Sequence, residues 1–153
     1  MDLTDTDLII LRMLQANTRE RLETIAYETD MSVATVQRRV RALREAKYIT
    51  QDAALLSPTA LGYSMTFVIL VELERERIDQ IDAFRRKVRD EVQIQQCYYI
   101  TGEADFALIA LAKDMEDYRA LTERLFFADS NVKRFRTSVA MDRTKVSMDV
   151  PLA

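Results

Sequence analysis

A change of hydrophobic rhythm near residue 60 limits this chain to folds made of two unlike parts. Before it, apolar residues recur at three- and four-residue spacing, as helices require; after it, strand-like runs alternate with helical ones. The break falls at Ser57, Pro58 and Gly62, residue types that favour turns over regular structure. The spacing therefore predicts a helical module over residues 1–50, linker strands over 51–63 and an α+β module over 64–153. With 153 residues, each module must bury a modest core of its own.

Within the first module, Leu8, Ile9, Leu11 and Leu14 make an apolar stripe, predicting a helix over 4–15 with Thr4 or Asp5 as its N-cap and Asn17 beyond its end. A second short helix is read over 21–29, with Leu22, Ile25 and Ala26 inward, and Asp30 and Met31 form the turn after it. The third has the clearest start: Ser32 can cap it, and Val33, Val36, Val40 and Leu43 follow at helical spacing. Residues 50–56 read as a short hairpin or linker strand, which would add a wing to the three helices. Beyond it the pattern predicts a strand over 65–73, a helix over 78–91, a strand over 92–101, a turn over 102–105, a strand over 106–113, a helix over 115–127 and a strand over 132–146. That βαββαβ order buries its apolar faces most simply as two helices on one face of a four-stranded antiparallel sheet, a ferredoxin-like arrangement. The predicted class is thus α+β, a three-helix winged helix-turn-helix followed by a ferredoxin-like domain.

Composition removes several chemistries. There is no histidine, which withdraws His-based triads, the usual His ligands of catalytic zinc and the side chain best suited to proton transfer at neutral pH. Cys97 is the only cysteine, so neither an intrachain disulfide nor a Cys cluster can form, and within its strand it reads as a small buried hydrophobe. We expect no catalytic residue, metal or cofactor. The apolar runs at 67–71 and 106–112 are far shorter than the roughly 20 residues of a membrane helix. The first seven residues hold Asp2, Asp5 and Asp7 and no cation, unlike a secretory leader, so a cytoplasmic protein is expected. A net charge of -3 argues against indiscriminate coating of nucleic acid. The excess acid lies in residues 51–153, which hold 14 basic and 17 acidic side chains, whereas residues 1–50 hold eight of each.

Against that balance the third helix stands out: Arg38, Arg39, Arg41, Arg44 and Lys47 face a single acid, Glu45. In a helix-turn-helix the second helix of the pair enters the major groove, with its N-terminal residues towards base edges. Ser32, as the cap, and Ala34, Thr35, Gln37 and Arg38 are then the candidates near the bases: Gln suits adenine, Arg guanine, and the Ala or Thr methyl thymine. Arg41, Arg44 and Lys47 suit phosphates. Arg39 is divided between a phosphate contact and a structural pairing with an N-terminal aspartate. An ordinary basic helix more often presents only a solvated face; its position as the third of three short helices favours double-stranded DNA as the partner here.

The chain resembles the Lrp/AsnC family of feast/famine regulators along almost its whole length. The resemblance is carried by LTDTDLIILRMLQANTRERLETIA and MSVATVQRRVRALREAKYI in the first module, and by CYYITGEADFALIALAKDMEDY and VKRFRTSVAMDRTKV in the second. Three departures stand out: Lys47 replaces a glycine after the third helix, Asn17-Thr18-Arg19 replaces a Gly-Arg pair, and Ala104 replaces an aromatic before the signature aspartate. A left-handed cap costs a non-glycine residue about 1 kcal/mol, so the third helix is expected to close differently.

The resemblance implies that the second module forms a homodimer through its sheet, that dimers assemble further, often to octamers, and that an amino-acid effector binds between dimers. By matching position, Gly102, Glu103 and Asp105 are the turn candidates, Tyr99 and Met115 the apolar walls, and Thr137, Ser138, Val139 and Ala140 the contribution of the last strand. Physical reading agrees in part, since a glycine turn lets backbone amides approach a ligand and Asp105 can accept from an amino group. Gly102 and Asp105 would also suit a plain hairpin. Tyr98, Tyr99, Phe106, Phe126 and Phe127 are read as core or oligomer interface, and Met13, Met65, Met115, Met141 and Met148 as packing residues. The alternatives to a DNA-binding regulator are an oligomeric small-molecule-binding or interaction protein that no longer reads DNA, and an enzyme on the same scaffold, which would lack suitable residues.

Overall fold

The computed structural model describes residues 2–152. They form two compact units, residues 2–55 together with 147–152, and residues 56–146.

The first unit holds α1 (Asp5–Ala16), α2 (Leu22–Glu28) and α3 (Val33–Glu45). Helix α1 starts at a capping box: Asp7 N–H donates to Thr4 Oγ1 at 3.2 Å, and Thr4 N–H donates to Asp7 Oδ2 at 2.9 Å, satisfying two backbone donors that helix geometry orphans. Ile10, Leu14, Ile25, Ala26, Val36, Val40 and Leu43 meet in one small core. Of the stripe read for α1 only Leu14 is buried; Leu8, Ile9 and Leu11 are half-buried, and Ile10, outside that stripe, is fully buried. A buried ion pair ties α3 to α1, where Arg39 donates through Nε at 2.9 Å to Asp7 Oδ1 and through Nη2 to Asp7 Oδ2. Residues 147–152 join this unit through Gln15, whose Nε2 donates to Val150 O at 3.0 Å and whose Oε1 accepts from Val150 N–H at 2.9 Å.

The hairpin expected over 50–56 does not form. Residues 50–57 carry no strand, and a 3-10 turn (Thr59–Leu61) closed by Gly62 at φ 87° leads into the second unit. The segment TQDAALL offers no Gly or Asn for the positive-φ turn that a tight hairpin needs.

The second unit has the predicted βαββαβ order: β1 (Met65–Leu73), α4 (Ile78–Asp90), β2 (Ile94–Tyr99), β3 (Phe106–Ala112), α5 (Met115–Thr122) and β4 (Val132–Val139). Strand order is β2-β3-β1-β4, all pairs antiparallel. Alternate residues of β1 (Phe67, Ile69, Val71, Leu73) and β3 (Phe106, Leu108, Ala110, Ala112) are buried under Ile81, Phe84 and Val88 of α4 and Tyr118 and Leu121 of α5. The intervening residues, including Val68, Leu70, Ala107 and Ile109, lie on the opposite face, which the unit leaves uncovered. The predicted helix over 115–127 is α-helical only to Thr122; residues Glu123–Phe127 form a wider π turn, with Ala128 N–H donating to Glu123 O at 3.0 Å. The last strand stops at Val139 rather than 146, because Ala140 N–H makes the final ladder bond to Thr66 O and β1 reaches no further than Met65. Cys97 is exposed, not buried, since β2 is an edge strand and covers only one of its flanks.

Candidate nucleic-acid interface and effector site

Helix α3 presents two sharply different faces. Val36, Val40 and Leu43 are buried, while Ala34, Gln37, Arg38, Arg41 and Arg44 are exposed along the opposite side at spacings of three and four. Ser32 Oγ accepts from Thr35 N–H at 3.2 Å, so Ser32 is spent on capping and Thr35 is half-buried beside it. The turn before α3 closes with Asp30 at φ 51°; Met31 N–H donates to Ala26 O at 3.0 Å and Asp30 N–H to Tyr27 O at 3.3 Å. The end of α3 repeats this motif. Lys47 takes φ 64°, Tyr48 N–H donates to Leu43 O at 3.0 Å and Lys47 N–H to Arg44 O at 3.0 Å. The expectation of a different closure is thus corrected: the paired backbone bonds hold Lys47 in the left-handed region that a glycine would enter at lower cost.

The cations of α3 are not equivalent. Arg39 is committed to Asp7, which is fully buried. Burial pushes the Asp7 pKa up, but hydrogen bonds from Thr4 and Arg39 and the Arg39 charge outweigh it and hold the carboxyl below the ordinary aspartate range. Arg41 Nε pairs with Glu45 Oε1 at 2.9 Å and stays 81% exposed. Arg44 Nη2 reaches both oxygens of Asp52, at 3.1 and 2.9 Å. Arg38 and Lys47 are exposed and make no ion pair among the described residues.

In the second unit the turn joining β2 to β3 carries Gly102 at φ 116°. A Cβ there would touch nothing within 4 Å, so the glycine serves the backbone conformation rather than a close approach. Asp105 anchors this turn to β1: its Oδ2 accepts from Leu73 N–H at 2.6 Å and its own N–H donates to Val71 O at 2.9 Å. Glu103 accepts from Arg136 Nη2 of β4 at 3.2 Å. Tyr99 stacks at a tilt on Phe106, 5.1 Å between centroids, with the Arg85 guanidinium 5.0 Å from its ring.

A hollow of about 630 Å³ opens between α5 and β4, lined by Met115, Glu116, Tyr118, Arg119, Thr122, Phe135 and Thr137. Of the predicted effector residues it gathers only Met115 and Thr137; Tyr99, Gly102, Glu103, Asp105, Ser138, Val139 and Ala140 do not line it. Tyr118 Oη and Thr137 Oγ1, both lining it, are hydrogen-bonded to each other, and burial pushes the Tyr118 pKa up against the opposing effect of that bond. Glu116, Arg119 and Phe135 were not anticipated, although 115, 119 and 122 share one helical stripe on α5. Of the aromatics, Phe106 and Phe126 are core, whereas Tyr98, Tyr99 and Phe127 are exposed; Met115 and Met141 are likewise exposed rather than packed.

Two family models match the chain. The AsnC-type helix-turn-helix domain matches residues 3–44 and the Lrp/AsnC ligand binding domain matches residues 66–150. An HTH-type transcriptional regulator of Sinorhizobium fredii is 40% identical over 99% of this chain and 90% of its own length. A transcriptional regulator from Neisseria meningitidis, solved in complex with L-Met, superposes with a TM-score of 0.92 at 28% identity, covering 99% of this chain and 97% of that one. An AsnC family regulator from Agrobacterium tumefaciens shares the fold at a TM-score of 0.92 and 23% identity, over 98% of this chain and 97% of its own. A helix-turn-helix with a basic outer face, followed by a βαββαβ ligand-binding domain in this order, makes the chain a member of the Lrp/AsnC family of transcriptional regulators.

Proposed function

We propose that this regulator reads specific DNA sequences through the outer face of α3 and that an amino acid bound by its second unit tunes the binding. The observation that carries the reading is the exposed row Ala34, Gln37, Arg38 and Arg41, set opposite the buried row Val36, Val40 and Leu43 on one capped helix. Gln37 and Arg38 are the base-reading pair; Arg41, Arg44 and Lys47 serve phosphates. Arg39 belongs to the fold, through Asp7. Substituting Gln37 or Arg38 with Ala relaxes base preference, each good bidentate contact being worth about 1–3 kcal/mol of discrimination. An electrophoretic shift series with upstream DNA reads this directly, and unchanged operator and mixed-sequence affinities in both variants would defeat the assignment in favour of a binding protein that no longer reads DNA.

The effector reading is supported by the relative solved with L-Met and by the groups beside β4. The Asp105 carboxylate, the Gly102 turn and Tyr99 are assigned to the ligand by family position, with Glu103, Met115 and the strand from Thr137 to Ala140 completing the site. One carboxylate oxygen each of Asp105 and Glu103 is already engaged within the subunit, by Leu73 N–H and by Arg136. The uncovered sheet face with Val68, Leu70, Ala107 and Ile109 is the surface assigned to the homodimer, and assembly of dimers to an octamer follows the family resemblance. A thermal-shift screen of the amino acids, with sizing in the presence of any hit, tests both points; stabilisation by none would remove the effector reading.

A further inference from the structure

We infer that Asp52 acts as an intramolecular stand-in for a DNA phosphate, holding Arg44 out of non-specific contacts, an inference that rests on the DNA-reading function proposed above. Three observations in the first unit carry it. Arg44 lies on the exposed side of α3, in line with Arg41 and with Gln37 one and two turns earlier. Its Nη2 donates to both oxygens of one carboxylate, at 3.1 and 2.9 Å, a charge-assisted contact to paired anionic oxygens of the kind a phosphate also presents. That carboxylate comes from beyond the end of the helix: the left-handed turn at Lys47 reverses the chain, and residues 50–57, without strand or helix, bring Asp52 back beside α3.

Pairing with Asp52 changes what Arg44 contributes to DNA binding. Phosphate contacts gain affinity chiefly by releasing counterions from the duplex. An arginine that must leave a carboxylate to meet a phosphate exposes that carboxylate, which repels the duplex and offsets much of the gain. The partners are 43% and 47% exposed, so the pair is a weak latch that a well-positioned phosphate can open, not a buried lock. Arg41 shows the milder version of the same device, a single bond to Glu45 at 2.9 Å between side chains 81% and 66% exposed. Arg38 carries no such partner among the described residues. Along the exposed arginines the masking is thereby graded: Arg38 unpaired, Arg41 held by one bond and Arg44 by two, while Lys47 beyond the end of α3 is again without an ion pair among the described residues.

The test is a double-mutant cycle on the full chain with a mixed-sequence duplex of fixed length, titrated over a range of salt. Asp52→Asn keeps the shape and removes the competing charge. It should tighten binding at low salt by up to about fivefold, the strength of an exposed ion pair, and steepen the slope of log K against log salt by up to about 0.9, one phosphate contact. In an Arg44→Ala background the same substitution should change neither quantity. Glu45→Gln should give a smaller tightening than Asp52→Asn. A tightening that persists without Arg44 would mean a general charge effect and overturn the inference, as would an unchanged Asp52→Asn variant whose thermal unfolding matches the parent. If the parent chain retains no duplex at the lowest salt, the DNA reading itself fails; if the parent binds and Asp52→Asn does not differ, only this inference does.

Discussion

The two units solve the problem of a small core in different ways. The sheet unit gathers its apolar faces into one continuous core in which Phe67 stacks on Tyr118 at 3.9 Å between ring centroids, with the uncharged Gln93 and Thr122 as its buried polar side chains. The helical unit has about half as many buried apolar residues, and at its centre stands a fully buried aspartate that caps one helix and receives an arginine from another. A unit with little apolar surface to hide relies on directional bonds to fix how its helices cross. The price is sensitivity to single charges.

That contrast can be broken most forcefully from the sheet side. Phe67→Ala, removing a fully buried ring that stacks on Tyr118, should cost about 3–5 kcal/mol and lower the unfolding midpoint of the sheet unit in urea. Arg39→Ala should cost the helical unit a similar or slightly smaller amount, about 3 kcal/mol, because Asp7 is left buried without its partner. Replacing both members by apolar residues of similar volume should recover much of the loss. A single variant no more costly than the double replacement would mean the pair is not the tie that α1 and α3 depend on.

Acid should sharpen the comparison further. Because the folded-state pKa of Asp7 is depressed, its contribution is complete above the ordinary aspartate range and is lost as pH falls below ~4 and through the folded value. An Asp7→Asn variant should therefore lose stability relative to the parent at neutral pH and approach it in acid, as followed by urea melts at a series of pH values. A constant gap between the two would contradict the assignment. The smallest effect concerns the left-handed residue after α3: Lys47→Gly should stabilise the helical unit by up to about 1 kcal/mol, since glycine pays less for φ 64°. Thermal melts resolve that gain, and a loss would show that the Lys47 side chain contributes more than its strained backbone costs.

Most of the architecture was legible because it rests on periodicity. Leu14, Ile25, Ala26, Val36, Val40 and Leu43, read inward from helical spacing, are buried, whereas Leu8, Ile9, Leu11 and Leu22 are half-buried, Val33 is exposed, and Ile10, which the stripe omitted, is fully buried. What escaped were features decided by partners distant in the chain. The last strand was read seven residues too long because its composition stays strand-like, whereas its true end is set by where β1 begins. Residues 50–56 were read as a short hairpin or linker strand from the same composition, yet they carry no strand. The exposed row of α3 was visible as charge and spacing; the division of its cations into paired and unpaired depends on Asp7, Glu45 and Asp52, and only the Arg39 pairing with an N-terminal aspartate was foreseen. The hollow beside α5 was missed in large part because Phe135 and Arg119 meet only once β4 has been laid beside β1.

The pair of hydrogen bonds between Gln15 and Val150 has a practical implication for anyone dissecting this regulator. A gene cut near residue 56 would yield the three helices stripped of a segment that reaches α1 from 135 positions downstream. During synthesis α1 emerges 135 positions ahead of that segment, so a ribosome stalled between them would leave the first helix unclasped.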